Sequence, residues 1–264
     1  MHELPLLIFT LFLQGSVGVT LWLAFGGAHV LQRSALLPAA GAFVLASLGL
    51  LASALHMGYP LNALNALRHV SSSWLSREII FASLYLAALG LATLLMFAKK
   101  PGRKLLLAAA GLVGLVDVFC MAQIYMHASV VTWQHINTLV LFIGSVGIIG
   151  SACMAVGMRS RATLRAAVVI ITLLVLVLVR LVMQPVWLAD ISAMDNTVVT
   201  FPHAPLQMLQ QLRTVHLLSW CVSVVGMLCF AAGGLKAARG TMLLGSALLI
   251  AGELMLRFVF FSIG

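Results

Sequence analysis

The stretch Leu55-His56-Met57-Gly58-Tyr59-Pro60-Leu61-Asn62-Ala63-Leu64-Asn65, continued at Ser76-Arg77-Glu78-Ile79, decides how the rest of the chain is read. It is a polar, ionisable interlude between two long apolar runs. It begins with a histidine still inside the first run and ends with a glutamate at the mouth of the second. Runs of this length on either side mark a protein that lives in lipid, and ionisable groups are costly to place there, so they are a functional hypothesis by default.

The composition agrees. The sequence of 264 residues is 62% hydrophobic and only 8% charged, with a mean hydropathy of +1.13. Soluble domains stay near 45 to 50% apolar. Apolar runs of about 20 residues, enough to cross a hydrocarbon core of about 30 Å, fall near 5–25, 36–57, 79–97, 105–127, 138–158, 166–188, 214–235 and 241–263. The expectation is therefore an all-α integral membrane protein, an eight-transmembrane-helix bundle forming one polytopic domain over 1–264. Continuous rather than alternating hydrophobicity favours helices over a barrel, because a helix satisfies its own backbone in lipid. The opening Met1-His2-Glu3-Leu4 has neither a basic leader nor a small-residue cleavage site, so the first run reads as a retained span.

The formal net charge of +9 is explained by where the cations lie. Arg33, Lys99, Lys100, Arg103, Lys104, Arg159, Arg161, Arg165, Lys236 and Arg239 occupy alternate short loops, ten of the fifteen basic residues. The positive-inside rule puts those loops in the cytoplasm and both termini on the periplasmic side. Trp74, Trp133 and Trp187 then suit an outer interfacial belt. No internal repeat is evident, and the many small residues within the runs read as close helix packing.

Cofactor signals are sparse. Cys120, Cys153, Cys221 and Cys229 all lie within spans, with no Cys-x-x-Cys spacing, and read as small buried hydrophobes rather than cluster ligands. Of eight histidines, His2, His56, His69, His127, His135, His203 and His216 map to the outer side and only His29 to the inner. A b-type haem between His56 and either His127 or His216 stays open as an alternative. An inner partner for a second haem is absent.

Polar residues inside the spans share one depth. His56, Gln123 with Tyr125 and His127, Arg180 with Gln184, and Glu253 with Arg257 all fall in the outer half. Arg180 with Gln184, and Glu253 with Arg257, are each four apart and share a helix face. For the second pair a structural ion pair is the competing reading. Asp117 has no local partner, and with Arg180 it would serve the alternative of a small-solute transporter. Transporters, however, place polar groups near the midplane on broken helices. A one-sided cluster better suits a lipid-soluble substrate that exchanges protons with that side. Quinol oxidation is such a reaction: two electrons leave with two protons, and a neutral imidazole at His56 is suited to take one from a phenolic hydroxyl, with Glu78 orienting the ring or passing the proton on. A purely structural anchor is the remaining alternative.

Three stretches carry a family resemblance: His2-Glu3-Leu4-Pro5-Leu6-Leu7-Ile8-Phe9-Thr10, the opening stretch with Ser76-Arg77-Glu78-Ile79, and Ala251-Gly252-Glu253-Leu254-Met255-Leu256-Arg257 with Phe260. Thr132-Trp133 links them more weakly. On these the protein resembles the membrane-anchor subunits of dimethyl sulfoxide reductase, a group of bacterial molybdenum-containing respiratory enzymes. The resemblance implies a haem-free inner-membrane anchor that oxidises menaquinol at its periplasmic side in anaerobic respiration. It implies two partners, an iron–sulfur subunit with [4Fe-4S] clusters and a catalytic subunit with a molybdenum bis-pterin cofactor. Carried over, the quinol-site histidine is His56 and the implicated glutamate Glu78; the reading of the residues adds Arg77 beside Glu78 and Gln14, Tyr125, Arg180, Glu253 and Arg257 as weaker candidates for the pocket lining. Gln123 and the segment 189–213 depart from the family pattern, which leaves the terminal acceptor open.

Overall fold

The computed structural model describes residues 4–26, 35–56, 67–157, 161–175, 182–193, 205–236 and 238–263. Its α-helices are α1 (Leu4–Phe25), α2 (Leu36–His56), α3 (Trp74–Phe97), α4 (Arg103–Met126), α5 (Ile136–Gly157), α6 (Arg161–Leu173), α7 (Met183–Ala193), α8 (Pro205–Gln211), α9 (Arg213–Lys236) and α10 (Arg239–Ser262). Short 3-10 turns at Leu67–His69 and Val131–Trp133 complete the described elements, and no strand occurs among them. Seven of the helices are long and apolar enough to cross a membrane: α1 to α5, α9 and α10. The run expected to be the sixth span, 166–188, falls instead on α6, a π-helical turn at 174–175, and α7. Residues 176–181, with Arg180, lie outside the described residues, so its expected alignment with Gln184 is not described.

Local chemistry sets several boundaries. Ser73 caps α3, its hydroxyl accepting from the Ser76 N–H at 3.4 Å. Between α3 and α4 the backbone reverses through Lys99 (φ 54°) and Gly102 (φ 87°), and glycine meets the second of these left-handed conformations without a steric penalty. The end of the bundle that holds this turn, with Lys99, Lys100, Arg103 and Lys104, is the basic end. The ends of α2 and α4 and the starts of α3, α5 and α9 form the other, the histidine end.

The helices pack as two rings of four. In the first, α1 contacts α2 and α4, α2 contacts α3, and α3 contacts α4. In the second, α5 contacts α6 and α10, α6 contacts α9, and α9 contacts α10. The rings therefore have the same cyclic order. They meet along α1 against α5, α4 against α5 and α1 against α10. Gly18 of α1 and Gly150 of α5 touch backbone to backbone, and a Cβ on either would collide with the other helix. Each stands 14 residues after the first residue of its helix. Asp117 of α4 and Glu253 of α10 also stand 14 residues in. The repeat not visible in the sequence is thus present in the arrangement of the helices. Lipid supplies no hydrophobic drive for helices to associate, so close backbone approach and interhelical polar bonds hold such a seam.

Candidate functional site

The polar interior is built where the first ring meets the second. α1 is the hub, and it carries Gln14, Ser16 and Thr20 on its buried surface, each 0% exposed. Ser16 and Thr20, four residues apart, share a face, while Gln14, two before Ser16, is turned to other neighbours.

Towards the first ring, Ser16 Oγ lies 2.6 Å from Tyr85 Oη and donates to the Ala42 carbonyl at 2.7 Å, and Thr20 Oγ1 lies 3.0 Å from the same phenol. Tyr85 is fully buried at mid-helix on α3. α3 and α4 run antiparallel, with the Trp74 ring 6.0 Å from Phe119 and 5.9 Å from His127, and Tyr85 against Gly114. That register turns Glu78, 6% exposed, and Asp117, 0% exposed, towards one another. Both Asp117 carboxylate oxygens are buried without a hydrogen bond. Asp117 thus has no partner among the described residues, and Arg180, its partner in the transporter alternative, lies outside them.

Towards the second ring, Gln14 accepts from Arg257 Nη2 at 2.8 Å through Oε1, while its Nε2 lies 3.6 Å from Met121 Sδ. Arg257 Nη2 also donates to Ser145 Oγ at 3.0 Å, and Ser145 donates to Glu253 Oε2 at 2.7 Å. The guanidinium carbon lies 4.0 Å from the centre of the Phe142 ring. Glu253 and Arg257 are thus joined by Ser145 as well as by their helix spacing. Tyr125, 8% exposed, is enclosed by the rings of Trp133, Phe142, Phe260 and Phe261 at 5.2 to 5.7 Å.

At the histidine end, Arg77 faces away from its neighbour Glu78, as adjacent residues on a helix do. Its Nε donates to Val70 O at 2.9 Å and Nη2 to Ser71 O at 2.6 Å, and its guanidinium carbon lies 4.3 Å from the Trp74 ring centre. Arg77 thus fastens the turn before α3. α2 packs on α3, with Phe43 against Gly90, which brings the end of α2 at His56 towards the first turn of α3. The His56 side chain lies outside the described residues.

A second polar group lies behind the aromatic cage. His216 Nε2 is 3.0 Å from Gln184 Oε1 and 3.3 Å from Trp220 Nε1. One nitrogen cannot both donate to the first and accept from the second, so its tautomer decides which bond is made. Trp187 donates to Thr132 O at 3.1 Å, and Trp133 to Phe260 O at 2.8 Å. These two tryptophans are therefore tied into the bundle rather than forming a lipid-facing belt. Between them is a cavity with about 20 Å³ open to the centre of a water-sized sphere, lined by Thr132, Asn137, Gln184 and His216 among others. That is room for about one water. Thr132 Oγ1 and Asn137 Oδ1 have no hydrogen bond.

His127 belongs to the first ring and His216 to the second, so the two haem-ligand alternatives lie in different parts of the bundle. No group of three or more His, Cys, Asp or Glu side chains converges among the described residues. Sequence reading missed Ser16, Thr20, Tyr85, Ser145 and Phe142. A tyrosine in the middle of an apolar run was the one available signal.

These features define a class: a multi-pass membrane protein of helices only, among the described residues, with a polar seam inside the bundle. The family model for the DMSO reductase anchor subunit (DmsC) matches residues 1–263, and the protein belongs to that family. It is 35% identical over 157 residues to the C subunit of anaerobic dimethyl sulfoxide reductase of Escherichia coli (strain K12), a match over 54% of this sequence and 55% of that one. With the YnfH subunit of anaerobic dimethyl sulfoxide reductase of the same organism it shares 29% identity over 279 aligned positions, 99% of this sequence and 95% of that one. The C subunit of the Haemophilus influenzae enzyme is 30% identical over 148 residues, 52% of each. The matches to the two C subunits thus span about half of their lengths. No solved structure matches.

Proposed function

We propose that this protein is the menaquinol-oxidising anchor of a respiratory complex of dimethyl sulfoxide reductase type in the bacterial inner membrane. In this reading the protein crosses the membrane eight times with both termini periplasmic, α6 and α7 contributing to the sixth crossing. Its partners are an iron–sulfur subunit with [4Fe-4S] clusters and a molybdenum bis-pterin catalytic subunit on the periplasmic side, where the histidine end would face them.

The observation that carries the reading is Glu78, a carboxyl group 6% exposed in the first turns of α3, at the end of the bundle where α2 terminates in His56. A quinol gives up two electrons and two protons. A carboxylate and an imidazole at the mouth of the bundle supply an acceptor for each proton, and the electrons pass one at a time to an oxidised cluster of the partner. Arg77 holds the turn that leads into the site. Gln14, Tyr125, Glu253 and Arg257 form the wall between the rings rather than the mouth, so their contribution is to shape the site. Protons would leave on the side where the reductase consumes them, making the reaction close to electroneutral.

The test is a fluorescence titration of a hydroxyquinoline N-oxide, a quinol analogue, into membranes containing the complex, with His56→Ala and Glu78→Gln beside it. Stoichiometric quenching that is lost in His56→Ala at unchanged expression is the expected result. Equal quenching in all three samples would refute a site at His56 and Glu78.

A further inference from the structure

Glu78 has a buried companion to which the quinol reading gives no role. Asp117 is 0% exposed and neither of its oxygens is hydrogen-bonded. The groups packed around it can be named helix by helix. α3, packed along α4 with Tyr85 against Gly114, presents the buried Glu78 and Tyr85. α1 presents Gln14, Ser16 and Thr20, none of which titrates. Cys120 is on its own helix, and Arg77 is engaged with the turn at 70–71. The Arg257 guanidinium is bonded to Gln14 and Ser145, and Gln14 in turn meets Met121 of α4.

Two carboxyl groups buried on helices packed along one another, with no cation bonded to either among the described residues, do not both ionise. One proton remains with the pair. We propose that Asp117 and Glu78 act as one carboxyl pair that holds a proton inside the bundle, and that Asp117 is a positioning residue for quinol oxidation acting through Glu78. The proposal rests on the quinol reading of the histidine end. At rest the pair has one proton and one negative charge. When quinol is oxidised, one hydroxyl proton passes to the ionised member at Glu78 and the other to His56, while the two electrons leave in turn to the partner's oxidised iron–sulfur cluster and the quinone remains. The pair then holds two protons and returns one to water at the histidine end, and His56 returns the other, which restores the starting state. Asp117 ensures that Glu78 begins each cycle beside a held proton rather than beside a second charge.

Two groups coupled in this way titrate in two steps that belong to the pair. In the assembled complex, quinol-oxidation rate against pH is therefore expected to show, beside the step of His56, one step more in the native protein than in Asp117→Asn, with Asp117→Glu restoring it. The hydroxyquinoline N-oxide titration should be unchanged in Asp117→Asn. Infrared difference spectra across the same pH range should show a deuterium-sensitive band of a protonated carboxyl group that Asp117→Asn removes. A merely structural Asp117 would leave the pH profile of Asp117→Asn native, and that result overturns the proposal. Should Asp117→Asn not assemble, Glu78→Gln is the second test, since it must shift the Asp117 band. A band unmoved by Glu78→Gln also overturns the pair. The infrared reading does not depend on quinol, so loss of the quinol reading through the His56→Ala titration is distinguishable from loss of the pair.

Discussion

The linkage of Arg257 to Glu253 gives the sharpest energetic test of the interior. Arg257→Met keeps a flexible apolar stem against Phe142 and removes the guanidinium. It deletes the bonds to Gln14 at 2.8 Å and Ser145 at 3.0 Å, and leaves the Glu253 carboxylate with the Ser145 hydroxyl at 2.7 Å. Hydrogen bonds between neutral groups across membrane helices average only about 0.6 kcal/mol. Two such bonds would cost about 1 kcal/mol. Stranding a buried charge by removing its partner costs about 3–5 kcal/mol, so the charge and not the bond count sets the size. Glu253→Gln with Arg257→Met removes both charges, and the double variant should recover at least about 1 kcal/mol relative to the sum of the single changes. Unfolding in mixed micelles with increasing dodecyl sulfate, followed by tryptophan fluorescence, measures all four corners of the cycle. Costs that add within about 0.5 kcal/mol would show that the two residues are independent and refute the reasoning.

Tyr85→Phe removes one hydroxyl that meets both Ser16 and Thr20; the same unfolding assay should report a loss of about 1 kcal/mol, because Ser16 keeps its bond to the Ala42 carbonyl. Gly18→Val places branched carbon into the backbone contact with Gly150 and should cost about 1–3 kcal/mol or abolish accumulation in the membrane, read by immunoblot against the native protein. Trp187→Phe leaves the Thr132 carbonyl without its indole donor, a loss of about 1 kcal/mol in the unfolding assay. His135→Ala removes the hydrogen bond between His135 Nε2 and Asp190 at 3.0 Å, in which the Asp190 side chain is 54% exposed. Its effect should stay within about 1 kcal/mol and shrink in salt.

The membrane class and seven of the long helices were legible because each rests on local quantities: run length and hydropathy. The partnering of Glu253 with Arg257 was legible for the same reason, since four residues on a helix fix a shared face. Ser145 was not, because a serine in an apolar span carries no sign of which helix it meets. The sixth run reads as one continuous span by hydropathy, yet its described parts are α6, a π-helical turn and α7; average apolarity does not register a local change of helix type. Trp133 and Trp187 read as belt residues because composition cannot tell an indole at the lipid surface from one whose N–H reaches a carbonyl of the next element. The two-ring order escaped the sequence since lipid-facing positions accept almost any apolar residue, and only contacts such as Gly18 with Gly150 constrain identity.

That shared order also bears on where proton chemistry can sit. Asp117 and Glu253 occupy equivalent places in α4 and α10, 14 residues after each helix begins. Four residues further on, the equivalent positions hold Met121 in α4 and Arg257 in α10. In the second ring the acid therefore has a cation one turn away on its own helix, tied to it through Ser145, and the charges balance locally. A proton arriving there would have to break a compensated pair. In the first ring the same geometry offers a thioether, and the acid's charged neighbour is a second acid, Glu78. There a proton relieves repulsion instead of breaking a pair. Gln14 touches both Met121 and Arg257, so the hub helix stands between the Glu253–Arg257 linkage of the second ring and the two buried carboxyl groups of the first. The ring with the two carboxyl groups is also the one that ends at His56.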